Sequence, residues 1–192
     1  MPEGPSIVDH IRARRLDTEL AALLWVMATD GVTIHVVSEA GDMRTAIAEA
    51  LRTLAADPAL VSDGPGGRIE DVLRQPVPIR PPTGVVVVVD ESARVAAAHL
   101  HRPPLRDAAG HVQPQRPAVL VEWNPQDGRW EHYTWGVMQD LVAGTKRKAG
   151  DVEADIAERA SVLGGLAAMP PGERSAVESV LKRWPDQALR AH

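Results

Sequence analysis

Gly31-Val32-Thr33-Ile34-His35-Val36-Val37-Ser38-Glu39-Ala40-Gly41-Asp42-Met43-Arg44-Thr45 changes character three times. Val32 to Val37 is rich in β-branched side chains, which pack well on a pleated surface, and reads as a strand. Ser38 to Met43 reads as a turn around Gly41. From Arg44 to about Ala56, Ile47, Leu51 and Leu54 recur at intervals of four and three, the repeat of one helix face. Pro58 ends that helix, since its ring blocks the helical path and it has no N–H to donate. Strand, turn and helix in that order predict an α/β fold.

Outward from this unit the pattern continues. Upstream, Ser6 to Arg15 has helical character, and Asp17 reads as an N-cap ahead of Leu20, Leu23, Leu24 and Met27. These four positions make one apolar helix face, and Gly31 is its stop. Downstream, Asp63 to Gly67 reads as a loop, Ile69 to Leu73 as one or two helical turns, and Pro76, Pro78, Pro81 and Pro82 exclude regular helix. The five valines Val85 to Val89 predict a strand buried on both faces. Val95 to Leu100 follows as a second strand after a turn at Asp90-Glu91-Ser92, and Arg102 to Pro117 reads as a polar, Pro-rich loop. Ala118 to Trp123 and Arg129 to Trp135 predict a hairpin around Asn124-Pro125-Gln126-Asp127-Gly128. Val137 to Ala143 reads as a short helix, Gly144 to Asp151 as a connector, and Val152 to Met169 and Glu173 to Trp184 as helices split by Pro170-Pro171-Gly172. The organisation is an α/β core over 1–145 and a helical tail over 146–192.

Composition narrows the function. The chain has 192 residues, and 21 Lys+Arg against 26 Asp+Glu give a net charge of −5. An acidic chain is not expected to grip nucleic acid, whose phosphates call for a basic surface. With no Cys there is no disulfide, zinc–cysteine or thiol chemistry. No run of 18 apolar residues is present, and the opening Met1-Pro2-Glu3-Gly4 is unlike a secretory signal, so a cytoplasmic location is expected.

A turn between strand and helix is where a phosphate-binding loop belongs, and the working motif is G-x-x-x-x-G-K-[ST]. Aligned on Thr45, the chain has Ser38 for the first glycine, Met43 for the second and Arg44 for the lysine, with Gly41 in mid-loop. Met43 puts a side chain where backbone N–H groups would wrap a phosphate. Arg44 keeps the charge as a bulky fork, and Asp42 brings a carboxylate that repels polyphosphate. Gly41, Arg44 and Thr45 are the candidate nucleotide contacts, in a degenerate Walker A.

Leu16 to Trp25 followed by Gly31 to Ser38 resembles the entry to the ATPase core of type II/IV secretion and pilus ATPases. Arg68-Ile69-Glu70-Asp71-Val72-Leu73-Arg74-Gln75-Pro76 resembles a later short helix of that family. Gly84 to Asp90 with Arg94 to His101 resembles a strand pair near the end of its core. The resemblance implies a truncated P-loop NTPase-like core. The family would carry a Walker B strand, an acidic box and a histidine box between Ala56 and Gly67, where this chain has about ten residues. Phosphoryl transfer needs all its positioning parts together. The resemblance therefore implies a catalytically silent relative, with no cofactor required and ATP/Mg as the alternative.

Other constellations carry further expectations. His99 and His101 share a strand face, and with His111 they form a candidate metal set. Glu122 and Glu131 fall on facing hairpin strands, and Ser38 with His35 is a possible nucleophile and base. Trp123, Trp130, Tyr133 and Trp135 gather in the hairpin, with Trp123 and Tyr133 as possible cross-strand neighbours. Aromatic clusters of this kind pack on cores or bind partners. The reading that follows is a non-catalytic interaction or assembly protein, acting on a protein partner or by self-association. The alternatives are a nucleotide-binding protein or ATPase using Arg44 and Thr45, and a small metal-dependent enzyme using His99, His101 and His111.

Overall fold

A computed structural model describes residues 4–38, 43–63, 84–102, 104–113, 115–143, 145, 147–170 and 181. The turn holding Gly41 and Asp42, the stretch from Gly64 to Thr83, Lys146 and the expected last helix apart from Leu181 fall outside these residues.

Local chemistry sets the ends of the first helices. Ser6 caps α1 (Ile7–Arg12) in a reciprocal box: its Oγ accepts from the Asp9 N–H, and Asp9 Oδ2 accepts from the Ser6 N–H at 2.8 Å. Asp17 caps α2 (Thr18–Thr29), its Oδ1 accepting from the Leu20 N–H at 2.8 Å. Gly31 then takes φ +77°, the left-handed conformation that lets the chain leave a helix without steric cost. The sequence predicts one apolar face on α2. The structure buries every residue from Leu20 to Ala28 instead. No charged side chain lies between Glu19 and Asp30, so the helix is apolar all round and takes a central position.

Six strands form one mixed sheet in the order β2-β1-β3-β4-β7-β8. They are β1 (Thr33–Ser38), β2 (Val61–Asp63), β3 (Gly84–Val89), β4 (Val95–His101), β7 (Ala118–Asn124) and β8 (Arg129–His132). β1 is parallel to β2 and β3; β4, β7 and β8 each run antiparallel to the strand before them in the sheet. The α/β class and the C-terminal helix are as the sequence predicts. All six residues of β3 are buried, in keeping with the valine run.

Two stretches hold strands that the sequence does not announce. Val61-Ser62-Asp63, of which only Asp63 falls in the expected loop, is too short to show a period, and it is recruited by pairing with Ile34, His35 and Val36. Within Arg102 to Pro117, β5 (Leu105–Arg106) and β6 (Val112–Gln113) form a two-stranded ribbon outside the main sheet.

The helices α1, α2, α3 (Met43–Arg52), α4 (Met138–Val142) and α5 (Ala149–Ala168) share one core with Ile34, Val36, Val85, Val87, Ala98, Leu100 and Val121. On the opposite sheet face Val37, Val86 and Val88 make a second, smaller cluster. Arg12 closes the carboxyl end of α5, donating to the carbonyls of Ala167 at 3.1 Å and Leu166 at 2.9 Å. No described helix is long and apolar enough to cross a membrane.

Candidate functional site

Three places gather the side chains that the sequence singles out. The first is the carboxyl end of β1. The chain leaves β1 through α3 to reach β2 on one side, then returns to β3 on the other. That reversal is a topological switch point, where open α/β sheets form ligand crevices. Arg44 and Thr45 lie in the first turn of α3; Thr45 is exposed. Arg44 is half-buried, and its Nε and Nη1 atoms are buried with no hydrogen-bond partner among the described residues. Buried N–H groups of this kind are costly to leave unpaired. β3 runs beside β1 with Ser38 opposite Val89, and Asp90-Glu91 follow it in the turn. The Asp90 carboxylate is occupied by its own turn, accepting from the N–H groups of Ser92 at 2.8 Å and Arg94 at 2.9 Å.

The second place is the face of the sheet away from the helices. The registers Thr33–Gly84–His101 and His35–Val86–His99 set the three histidines on one face. His35 shares a hydrogen bond of 2.6 Å between Nδ1 and the Oγ of Ser62, leaving a buried Nε2 without a partner; His101 Nε2 is in the same state. Burial holds His35, His99 and His101 below the ordinary histidine range, so their rings are neutral. Ser38 is three residues from His35 and so points to the opposite face; the partner of His35 is Ser62, not Ser38. His111 sits apart on the exposed ribbon, its Nδ1 at 3.0 Å from Asp107 Oδ2. Among the described residues no three His, Asp or Glu side chains come together as a metal set.

The third place is the β7–β8 hairpin. Trp123 lies opposite Trp130, not Tyr133, and the two rings meet edge to face with centroids 4.5 Å apart. The Arg94 guanidinium covers Trp123 at 4.1 Å, and the Trp130 indole N–H donates to the Val95 carbonyl at 2.8 Å. Both indoles are thus held by the sheet. Tyr133 and Trp135 are 39% and 82% exposed. Glu122 and Glu131 are directly opposite, as the hairpin spacing predicts. Hydrogen bonds from the Tyr133 hydroxyl at 2.6 Å and Asn124 Nδ2 at 2.7 Å hold the Glu131 carboxyl below its ordinary range.

Tyr133 donates its backbone N–H to the Leu120 carbonyl, which sets it beside the start of β7. There Val119 is 37% exposed, and Leu100 pairs with Ala118 where the ribbon leaves the sheet. Leu105 and Val112 on the ribbon are 58% and 53% exposed. Five large apolar side chains therefore meet solvent toward one end of the sheet. The sequence alone hides this grouping, because 30 residues separate Leu105 from Trp135. The His35–Ser62 pair is hidden for a related reason: its signal needs β2, which has no periodicity to announce it. No protein-family model matches the chain, and no curated protein does.

Proposed function

We propose that this is a non-catalytic interaction or assembly protein, built on a shortened core of the secretion-ATPase kind, that binds protein through the ribbon end of its sheet. The observation that supports it most is Trp135, 82% exposed, with the exposed Tyr133 and Val119 on the same hairpin and Leu105 and Val112 on the ribbon that enters β7. An exposed apolar group of this size favours association, and Trp and Tyr are the side chains that dominate binding energies at interfaces. The direct test puts a photo-crosslinking phenylalanine analogue at Trp135 in cells. Illumination is expected to trap a covalent protein adduct there, and far less with the analogue at the exposed Glu153 of α5. Equal trapping at the two positions, or none at 135, rejects the reading. Trp135→Ala should weaken the same association at least tenfold, about 1.4 kcal/mol, while leaving the fold intact.

The two buried nitrogens of Arg44 that lack a partner among the described residues favour a second reading, nucleotide binding at the switch point, with phosphate on Arg44 and Thr45 and the acids of Asp90-Glu91 after β3. Mg-ATP at about 100 times its dissociation constant would then stabilise the protein by about 2.7 kcal/mol. A melting shift of several degrees that Arg44→Ala removes supports this reading; no shift with the intact protein ends it.

A further inference from the structure

We propose that His10 is a proton-operated latch between α1 and the first turn of α3. Neutral, it joins the two helices; protonated, it loosens α1. Ala46, its contact on α3, follows Arg44 and Thr45 in the same turn, so the latch also sets how firmly the start of α3 is held. It is independent of the ribbon end.

The donors and acceptors around the ring fix its state. His10 is fully buried. Its Nε2 lies 3.3 Å from the Ala46 carbonyl, which only accepts, so Nε2 carries the proton. Its Nδ1 lies 3.4 Å from Nη1 of Arg15, which only donates, so Nδ1 is bare. One neutral tautomer therefore satisfies both contacts. A second proton, on Nδ1, would set N–H against N–H and one cation against another. Helix α1 has six residues, too few to persist undocked in water. What weakens its docking therefore raises the share of time that its amides are open.

The charges near the ring favour the neutral form. The Arg15 guanidinium rests on the ring, with no carboxylate on it among the described residues, and its backbone carbonyl is held by the Val95 N–H at 2.7 Å. On α1, Asp9 pulls the other way, but its carboxylate is taken up by the N–H and hydroxyl of Ser6. Arg12 is turned to the end of α5. Helix α2 has no charged side chain between Glu19 and Asp30. On α3, Glu49 is exposed beside Gly4, Arg52 is paired with Asp63, and Arg44 is a further cation. On β4's side, Arg94 covers Trp123. Burial first, and then Arg15, hold His10 below the ordinary histidine range. The opened chain thus takes up a proton near 6.5, and the docked one only at lower pH. Docking is at full strength above 6.5 and weakens as pH falls below it.

Residue-resolved hydrogen exchange on the full chain tests the latch between about pH 8 and about pH 5, with rates corrected for the intrinsic effect of pH. As pH falls below 6.5, opening of the α1 amides is expected to rise by up to about tenfold per pH unit. Exchange at β1, β3 and β4 reports the His35, His99 and His101 face separately. His10→Gln, whose amide donates to Ala46 and accepts from Arg15 without titrating, should fold and lose the rise in α1. Arg15→Met removes the opposing cation and should bring the His10 titration, read by imidazole NMR, closer to 6.5. In the unmodified protein the same spectra should place the proton on Nε2 at neutral pH. An equal rise in α1 opening in His10→Gln overturns the latch, as does a rise shared by every core amide. A ring protonated on Nδ1 alone, or titrating at or above 6.5, overturns it too. If His10→Gln does not fold, the NMR titration of the unmodified protein and of Arg15→Met still decides.

Discussion

Asp155→Ala should destabilise the fold by about 3–5 kcal/mol, the range for stranding a buried charge by deleting its partner. Asp155 is 14% exposed on α5, and its two oxygens accept from Arg159 Nε at 2.8 Å and Nη2 at 3.1 Å. Arg159 is 2% exposed, lies over the Trp25 ring at 4.7 Å and donates to the Thr29 Oγ1 at 3.0 Å. Arg147 joins the group, donating to Asp155 at 2.8 Å and reaching Asp30 at 3.3 Å. Burial pushes the Asp155 carboxyl up, and the hydrogen bonds from Arg159 and Arg147 outweigh it, holding the group below the ordinary aspartate range. Its contribution to stability is therefore complete above the unfolded value of 3.8 and is lost only as pH falls through the lower folded value. Removing Asp155 leaves the Arg159 guanidinium one hydroxyl, one ring and the more distant Asp30 carboxylate, with no carboxylate accepting its hydrogen bonds. Urea unfolding at neutral pH measures the loss as a lower midpoint with an unchanged slope. The double change Asp155→Ala with Arg159→Met should recover much of it, since an apolar replacement leaves no charge to solvate. A loss under about 1 kcal/mol for the single change would place the pair among solvated surface contacts.

That network shows where sequence reading works and where it stops. The spacing of Leu20, Leu23, Leu24 and Met27 announces α2, and Asp17 and Gly31 mark its ends, because caps and periodicity are local. The valines of β3 announce burial for the same reason. Arg159, set in a helix beside Asp155, reads as one half of a solvated pair four residues apart, and only the packing of α5 on Trp25 turns it into a buried charge. Val61-Ser62-Asp63 becomes a strand through its partner β1, so the His35–Ser62 bond has no sequence signal. The hairpin was legible from Asn124 to Gly128, and with it the Glu122–Glu131 pairing. Which aromatics face solvent was not, since that depends on Arg94 and Val95 from another strand.

The four aromatics of the hairpin region divide by what holds them, and Trp130→Ala should expose the division. Trp130 is half-buried, packs edge-on against Trp123, and gives its indole N–H to the carbonyl of Val95, itself fully buried. Deleting the ring removes the apolar contact and leaves that carbonyl unpaired. The expected loss is about 3 kcal/mol, the low end for a large aromatic truncated to alanine. Trp130→Phe keeps much of the ring contact and should lose about 1 kcal/mol, chiefly for the hydrogen bond. Trp135→Ala, with no packing to lose, should stay within about 0.5 kcal/mol of the unmodified protein. The two alanine variants thus predict opposite phenotypes: one unfolds more readily, the other folds normally and associates poorly. Paired unfolding and sedimentation measurements decide the matter. If Trp130→Ala left stability untouched and weakened association, the indole of Trp130 would belong to the binding surface, and the Val95 hydrogen bond would not be what fixes β8 to the sheet.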